Sequence, residues 1–221
     1  MRATIALATL VLLLGTSATA SPIQLVADFR ELEVPDDLDP YVPPAPFAPW
    51  DIGVHLIDNS FFAIQDSSFS PSGFQGSGAV WLANDYTYPV NADPVAVSRA
   101  GFTFTLSEAA TVRIQGELAI ILDTSPEERS WAFAELGGGG LGDIWFESIG
   151  DPDDPPGLLR TFDETFTLPA GSYSFTVQAT VWGEQPGPGA RWNVVLSVPE
   201  PVLWPLLAVL LPFARRRIAS A

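Results

Sequence analysis

The sequence predicts an all-β fold, an antiparallel β-sandwich of jelly-roll type, and three observations support this prediction. Apolar and polar residues alternate with a period of two along many short segments, as in strands that bury one face. Turn-forming Pro and Gly residues separate these segments. The body of the chain shows no convincing 3.6-residue period of an amphipathic helix. Many short strands with turns between them are typical of two packed antiparallel sheets.

The segment SYSFTVQATVW has the clearest alternation in the chain. Ser, Thr and Gln occupy one side of this predicted strand. The apolar side carries Tyr173, Phe175, Val177 and Val181. We therefore expect these four side chains to point into one core between the two sheets.

Ten further segments are predicted to be strands by the same alternation and by their flanking turns. In chain order they are IQLVADFRELEV, GVHLI, FFAIQ, GAVWLA, GFTFTL, TVRIQGELAIIL, SWAFAEL, DIWFESI, RTFDETFTL and ARWNVVLSV. No repeat of fixed period is present, which disfavours propellers and solenoids.

Length and charge limit the classes of function. A chain of 221 residues is long enough for one domain with a substantial core. The 26 acidic residues outnumber the 10 basic ones and give a net charge of -16, which disfavours nucleic acid as a partner because phosphates need a basic surface. The absence of Cys excludes disulfides, thiolate catalysis and zinc sites with Cys ligands.

The first 20 residues have the features of a secretory signal peptide. Arg2 precedes an apolar stretch from Ile5 to Leu14, and the small residues Ala18 and Ala20 precede Ser21 in an Ala-x-Ala cleavage pattern. The alternative, a permanent N-terminal anchor, is disfavoured because about 20 apolar residues are needed to span a bilayer as a helix. We expect export and cleavage before Ser21.

Residues 21–197 are predicted to form the acidic sandwich ectodomain. Within it, residues 34–50 contain six prolines between Pro35 and Pro49. Proline lacks a backbone donor and favours extended geometry, so this stretch is predicted to be a surface arm or linker.

The residues with catalytic potential do not form a recognisable active site. His55 is the only histidine and has apolar neighbours, so we interpret it as a structural residue. The segment ELGGGGLGD lacks the Lys of a phosphate-binding loop and is interpreted as a hairpin loop. A glycoside-active enzyme would need two close carboxylates, and no spacing displays them. We therefore predict a protein that is not an enzyme.

Two acidic clusters, PDDLD and DPDDPPG, offer oxygen ligands of the kind that Ca²⁺ binds. In the second cluster, Asp151, Asp153 and Asp154 are the candidate calcium ligands. The simpler interpretation is a solvated acidic loop, and no other cofactor is predicted.

Six tryptophans precede the C-terminal tail, and aromatic rings on an exposed face can stack on sugars. Trp182 is the best candidate for a glycan contact because it falls on the polar side of its predicted strand. Core packing explains the other tryptophans equally well.

The C-terminal segment 198–221 has three parts in a fixed order. Val198, Pro199, Glu200 and Pro201 come first, then an apolar segment of 13 residues, then Arg215, Arg216 and Arg217. As a helix the apolar segment is about 20 Å long, shorter than the roughly 30 Å hydrocarbon core of a bilayer. A plain membrane anchor is the alternative interpretation.

This tail resembles that of the PEP-CTERM family of exported bacterial proteins. The resemblance implies that Val198 to Pro201 form a sorting motif, that Arg215 to Arg217 form a stop signal, and that a membrane-embedded protease of the exosortase type removes the tail. It also implies a transient association with the inner membrane of a Gram-negative bacterium and a final place in the cell-surface or biofilm matrix with exopolysaccharide. The expected function is therefore that of an exported matrix protein; a carbohydrate-binding module of the cell surface is the alternative.

Overall fold

The structure is a computed structural model that describes residues 23–35, 40–55, 61–83, 95–121, 129–138, 140, 142–150, 158–182 and 189–199. Within these ranges the regular structure consists of strands alone, so the all-β prediction is confirmed. The same ranges hold no helix with the length and apolarity that a membrane span requires.

The described part of the chain contains twelve strands. They are β1 (Ile23–Asp28), β2 (Glu31–Glu33), β3 (Trp50–His55), β4 (Phe61–Ser70), β5 (Gly73–Leu82), β6 (Val95–Leu106), β7 (Ala110–Ile120), β8 (Arg129–Gly138), β9 (Asp143–Ile149), β10 (Leu159–Leu168), β11 (Gly171–Trp182) and β12 (Gly189–Ser197). Each segment predicted to be a strand corresponds to one of these strands, apart from the first segment, which forms two.

The strands form two six-stranded antiparallel sheets that pack as a sandwich. Sheet A has the order β1-β6-β11-β8-β9, and β2 also pairs with β6. Sheet B has the order β10-β7-β12-β5-β4-β3. Most neighbours in a sheet are distant in sequence, as in sandwiches with Greek-key connections. Each sheet therefore has an inner face toward the core and an outer face toward solvent.

The core lies between the two inner faces. The four residues predicted for it are all buried, which confirms that prediction: Tyr173, Phe175, Val177 and Val181. Rings from both sheets meet there, because Phe102 of sheet A lies 5.2 Å from Phe74 of sheet B and 5.6 Å from Phe175, centroid to centroid. Each such buried side chain contributes roughly 1.5–3 kcal/mol through removal from water.

The segment predicted as one first strand is instead divided between β1 and β2 at Phe29 and Arg30. Arg30 turns inward and is 1% exposed, and its guanidinium pairs with the Asp28 carboxylate at 2.6 Å. Phe29 stays outside, and its ring lies where a Cβ on Gly101 would be, 2.1 Å from that position. The break follows from a charged side chain that enters the interior only with its partner.

The buried ion pair also holds the described part of the Pro-rich arm. Asp28 Oδ2 accepts a hydrogen bond from the Phe47 amide at 2.7 Å, and Arg30 Nη2 donates to the Ala48 carbonyl at 2.7 Å. Arg30 Nη1 donates to Ser67 Oγ of β4 at 3.0 Å. Residues 47 and 48 are thus tied to both sheets through one carboxylate and one guanidinium.

Candidate functional site

The outer face of sheet B carries a continuous row of polar side chains. The strand register places each member directly opposite the next across six strands, in the order Asp51, Asp66, Ser77, Asn193, Glu117 and Thr161. Directly opposite residues in antiparallel strands have Cβ atoms about 4.5–5.5 Å apart. The row therefore presents closely spaced oxygen and amide groups across the whole width of the sheet.

A concavity of about 510 Å³, here called the groove, lies along this row from Asp51 to Glu117. Gly53, Ser77 and Ala79 line it with small side chains, and Ile64 and Trp81 line it with larger ones. The Trp81 ring stacks on Phe62 with a centroid distance of 5.0 Å and an interplanar angle of 5°. The volume lies in the range of small-molecule sites, and the groove combines a fixed aromatic ring with hydrogen-bonding groups.

The groove has a negative electrostatic balance. The charged residues that line it within the described ranges are Asp51, Asp66, Glu117 and Arg191. Arg191 lies 3.4 Å from Glu117, which leaves the two aspartates without an ion-pair partner among the described residues. The groove therefore favours uncharged hydrogen-bond donors over anions.

Outside the groove, the outer face of sheet B carries an exposed ion pair between Arg113 and Asp163. The Arg113 guanidinium donates two hydrogen bonds to the Asp163 carboxylate at 2.8 and 2.6 Å, and Gln115 donates a third at 3.2 Å. The hydrogen bonds from Arg113 are the main cause that lowers the pKa of Asp163, and the same contact raises the pKa of Arg113. Arg113 and Asp163 therefore satisfy each other, whereas Asp51 and Asp66 of the groove have no ion-pair partner among the described residues.

The outer face of sheet A instead carries an aromatic stack formed by Trp131, Phe133 and Phe146. The Trp131 and Phe133 centroids lie 5.0 Å apart at 26°, and those of Phe133 and Phe146 lie 5.9 Å apart at 28°. Trp131 is 41% exposed and Phe146 is 53% exposed. The three stacked rings therefore lie on the outer side of β8 and β9, with Trp131 and Phe146 exposed to solvent.

A chain of hydrogen bonds approaches this stack from the opposite edge of sheet A. Arg99 Nη1 donates to Glu31, and Arg99 Nε donates to Gln178 Oε1 at 2.6 Å. Gln178 Nε2 then donates to Thr180 Oγ1 at 2.7 Å. Thr180 is the register partner of Trp131, so the polar chain ends beside the aromatic stack.

Trp182, the predicted glycan contact, lies at the end of β11 and is half-buried. It is on the same face as Thr180, two residues away, and Thr180 pairs with Trp131. Trp182 is therefore a diagonal neighbour of the aromatic stack. Its contact with a glycan stays a prediction.

Neither the stack nor the groove was among the sites predicted from the sequence. The available signal for the stack was the alternation of large and small residues in WAFAE, where aromatic residues alternate with Ala132 and Ala134. Both sides of that strand are apolar, so periodicity alone does not show which side faces outward. The groove depends on pairing between strands that are distant in sequence, and no local pattern encodes it.

Several predicted sites lie wholly or partly outside the described residues. These are the cleavage pattern Ala18, Ala20 and Ser21, the calcium ligands Asp151, Asp153 and Asp154, the motif residues Glu200 and Pro201, and the cluster Arg215, Arg216 and Arg217. Within the described ranges, no group of three or more His, Asp or Glu side chains could hold a metal ion.

The first residue of the predicted sorting motif belongs to the folded body. Val198 is 1% exposed, and its amide donates to the Ser72 carbonyl at 2.7 Å. Pro199 is exposed. The described sandwich therefore packs residues up to Val198, and the next residue of the motif lies at the surface.

No protein-family model matches the chain, and no curated protein matches it. An enzymatically active domain of bacteriophage CBA120 tailspike protein 4 aligns with 63% of this chain and 19% of its own, with 14% identity and a TM-score of 0.25. The carbohydrate-binding module CBM6cm-2 of Cellvibrio mixtus lichenase 5A, in complex with cellotriose, aligns with 62% of this chain and 97% of its own, with 17% identity and a TM-score of 0.25. The family 11 carbohydrate-binding module of Clostridium thermocellum, in complex with a β-1,3-1,4-mixed-linked tetrasaccharide, aligns with 76% of this chain and 95% of its own, with 13% identity and a TM-score of 0.22. TM-scores this low do not transfer a ligand to this chain.

Proposed function

We propose that the chain is an exported bacterial surface or matrix protein whose sandwich binds a neutral polysaccharide in the groove of sheet B. The observation that carries this proposal is the combination, in one concavity, of the Trp81 ring with a transverse row of polar groups. A pyranose has an apolar ring face and a rim of hydroxyl groups. The ring face stacks on Trp81 while carboxylate and amide oxygens accept hydrogen bonds from the hydroxyls.

Charge determines the class of polysaccharide. Asp51 and Asp66 face each other in the register, neither has an ion-pair partner among the described residues, and the whole chain has a net charge of -16. Uronate or phosphate groups would be repelled from this surface. A neutral glycan donates hydroxyl hydrogen bonds to the same carboxylates without that cost.

The proposed activity is binding without catalysis. Asp51 and Asp66 are exposed at an open groove. A glycosidase general acid keeps its proton at neutral pH because an apolar, water-poor pocket surrounds it. The open groove does not enclose either carboxylate in this way, and it suits binding through hydrogen bonds.

The test is titration calorimetry with a panel of soluble polysaccharides: an α-glucan, a β-glucan, a galactomannan and the polyuronate alginate. We expect at least one neutral polymer to bind and alginate not to bind. Trp81→Ala should weaken binding in the groove about tenfold or more, because a stacked aromatic anchor contributes on the order of 1.4 kcal/mol. Trp81→Phe should retain part of the affinity because it keeps a ring.

Val195→Ala is the matched control, since Val195 is 40% exposed on the same face of sheet B but does not line the groove. It should bind as the wild type does. Melting curves of all variants show whether a loss of binding reflects a loss of fold. Failure of every neutral polymer to bind, or equal binding by Trp81→Ala, would overturn the proposal.

The tail is the second part of the proposed function, and it rests on the resemblance and on the position of Val198. Because Val198 is buried and Pro199 is exposed, cleavage after Val198 would remove no described core residue. A cleavable sorting signal attached directly to the folded sandwich is consistent with sorting to the cell surface. The proposed route is export, a pause in the inner membrane, and removal of residues beyond the motif.

Mass spectrometry of protein released from native cells tests this route. We expect mature chains that begin at Ser21 and lack residues 202–221. Glu200→Ala should leave the precursor membrane-held, and replacement of Arg215, Arg216 and Arg217 by Ser should let the tail misorient. Mature chains that retain residues 202–221 would show an ordinary anchor.

A further inference from the structure

The aromatic stack on sheet A lies on the face opposite the groove. Trp131 and Phe146 are among the most exposed large apolar side chains of the described residues, and they meet through Phe133. Exposed aromatic clusters in a polar surface commonly mark an interaction site, because their exposure has a free-energy cost that a partner removes. The stack has no role in the groove.

The strand register extends the stack into a longer surface. Phe146 pairs with Glu135, Glu135 pairs with Thr176, and Thr176 pairs with Gly101. The Phe29 ring covers Gly101 and is 41% exposed. Three strand spacings of about 4.8 Å separate the two ends, so aromatic rings lie roughly 15 Å apart with one carboxylate and one hydroxyl between them.

We propose that this surface is a second polysaccharide-binding site, so that the folded body binds two glycan chains on opposite faces and cross-links them. The cross-linking part rests on the proposed function of the groove; the second site does not. Rings at both ends stack on sugar faces, while Glu135 and Thr176 bond hydroxyl groups between them. A protein with two glycan sites is a cross-linker by geometry rather than by catalysis.

Charge favours a neutral glycan over the other candidate occupant, a second copy of this chain. Glu31, Glu33 and Glu135 lie on this face, with Arg99 as a basic residue already bonded to Glu31. A second copy would bring the same acidic residues together, and every copy carries a net charge of -16. A neutral chain of sugars meets neither repulsion.

The first experiment measures light scattering when the full-length ectodomain is mixed with each neutral polymer of the same panel. Two sites predict that scattering rises with added protein, passes through a maximum and falls when protein is in excess. The double variant Trp131→Ala/Phe146→Ala should still bind in calorimetry but lose the scattering maximum. Both residues lie outside the buried core, so the variant should keep the fold, and its melting curve checks this.

The groove variant Trp81→Ala separates the two proposals. With two sites, Trp81→Ala and the double variant each retain about half of the binding stoichiometry, and the combination of all three substitutions retains none. Unchanged scattering and stoichiometry in the double variant would overturn the second site and leave the groove intact. If the double variant lost all binding while Trp81→Ala bound as the wild type does, the groove would be overturned as the site.

Sedimentation of the protein alone tests the second copy as occupant. We expect a monomer at all concentrations in both the wild type and the double variant. A dimer that the double variant abolishes would overturn the glycan site and assign the stack to self-association.

Trp182→Ala, a neighbouring substitution on the same face, should lower glycan affinity less than the double variant does. An equal or larger loss of affinity would place the site at the end of β11 instead of at the stack.

Discussion

On both outer faces of the sandwich, alternate residues of each strand point outward. One face is concave, whereas the other carries protruding aromatic rings. On sheet B, Gly53 of β3 and Ser77 and Ala79 of β5 are small outward residues, so the face contains a groove. On β8 of sheet A, Ala132 and Ala134 face the core while Trp131 and Phe133 face out, so the face carries a ridge of rings. The position of the small residues, inside or outside, therefore determines the shape of each face.

The faces also differ in how their polar groups are satisfied. On sheet A, the hydrogen-bond chain from Arg99 through Gln178 to Thr180 is closed within the protein. On sheet B, Arg113 and Asp163 satisfy each other outside the groove, while Asp51 and Asp66 have no described ion-pair partner. We infer that sheet A binds mainly by stacking and sheet B mainly by hydrogen bonds.

The largest expected effect comes from a substitution in the core that both sheets share, because unfolding of the core removes both outer faces at once. Phe175 is 0% exposed and contacts the ring of Phe102. Phe175→Asp removes a packed ring, at about 3–5 kcal/mol, and buries a carboxylate without a partner, so the fold should be lost. The near-UV circular dichroism signal should disappear. Val195→Asp, at an exposed position, should keep it; a folded Phe175→Asp would contradict the core.

The next effect is a local loss of stability that we expect beside the groove of sheet B first. Asp28→Ala leaves the buried Arg30 guanidinium without its carboxylate, and removal of one partner of a buried pair costs about 3–5 kcal/mol. Arg30 contacts Ser67 of β4, so amide exchange should increase first in β3 and β4, beside the groove. Urea denaturation and hydrogen exchange measure both effects.

The double substitution Asp28→Leu/Arg30→Met is the control for this pair. Replacing both charges by apolar groups should recover most of the stability, because the cost comes from the unpaired charge. Equal destabilisation by the single and double variants would show that packing of the Arg30 stem matters more than its charge.

A smaller effect tests the far end of the sheet A surface. A Cβ at Gly101 would lie 2.1 Å from the Phe29 ring, whereas a Cβ at Gly53 would lie 3.3 Å from Ile64 in the groove. Gly101→Ala should displace Phe29, cost on the order of 1–3 kcal/mol and weaken binding to sheet A only. Gly53→Ala should change stability little and narrow the groove. The same loss of binding in both variants would contradict separate sites.

The smallest effect is electrostatic and lies outside both sites. The pKa of Asp163 is lowered chiefly by hydrogen bonds from Arg113, so NMR titration should place it below the value of an unpaired aspartate. Its contribution to stability is present above the unfolded-state pKa and is lost as the pH falls through the lower folded-state pKa. Arg113→Gln should raise the pKa of Asp163 and leave binding unchanged; an unaltered titration would show that the pair is not formed in solution.

The sequence predicted the sandwich because polar and apolar residues separate cleanly in strands such as β11. Ser174 and Thr176 alternate with Tyr173 and Phe175 there, so hydration alone decides which side is buried. The tail motif and the charge are likewise local features that can be read directly from the residues. Val198 was predicted only as a motif residue, and its place in the core became visible with its bond to Ser72.

Only the tertiary structure decided which of the two outer faces has a groove and which carries protruding rings. In β8 both alternating sets are apolar, and the alanines face inward because they lie beside Val177 and Ala179 of β11, in a core already filled by large rings. The tryptophans show the same ambiguity: Trp192 is 1% exposed, whereas Trp131 is 41% exposed. Hydrophobicity favours burial of both, but close packing admits only the side chains whose volume fits the space that distant strands leave.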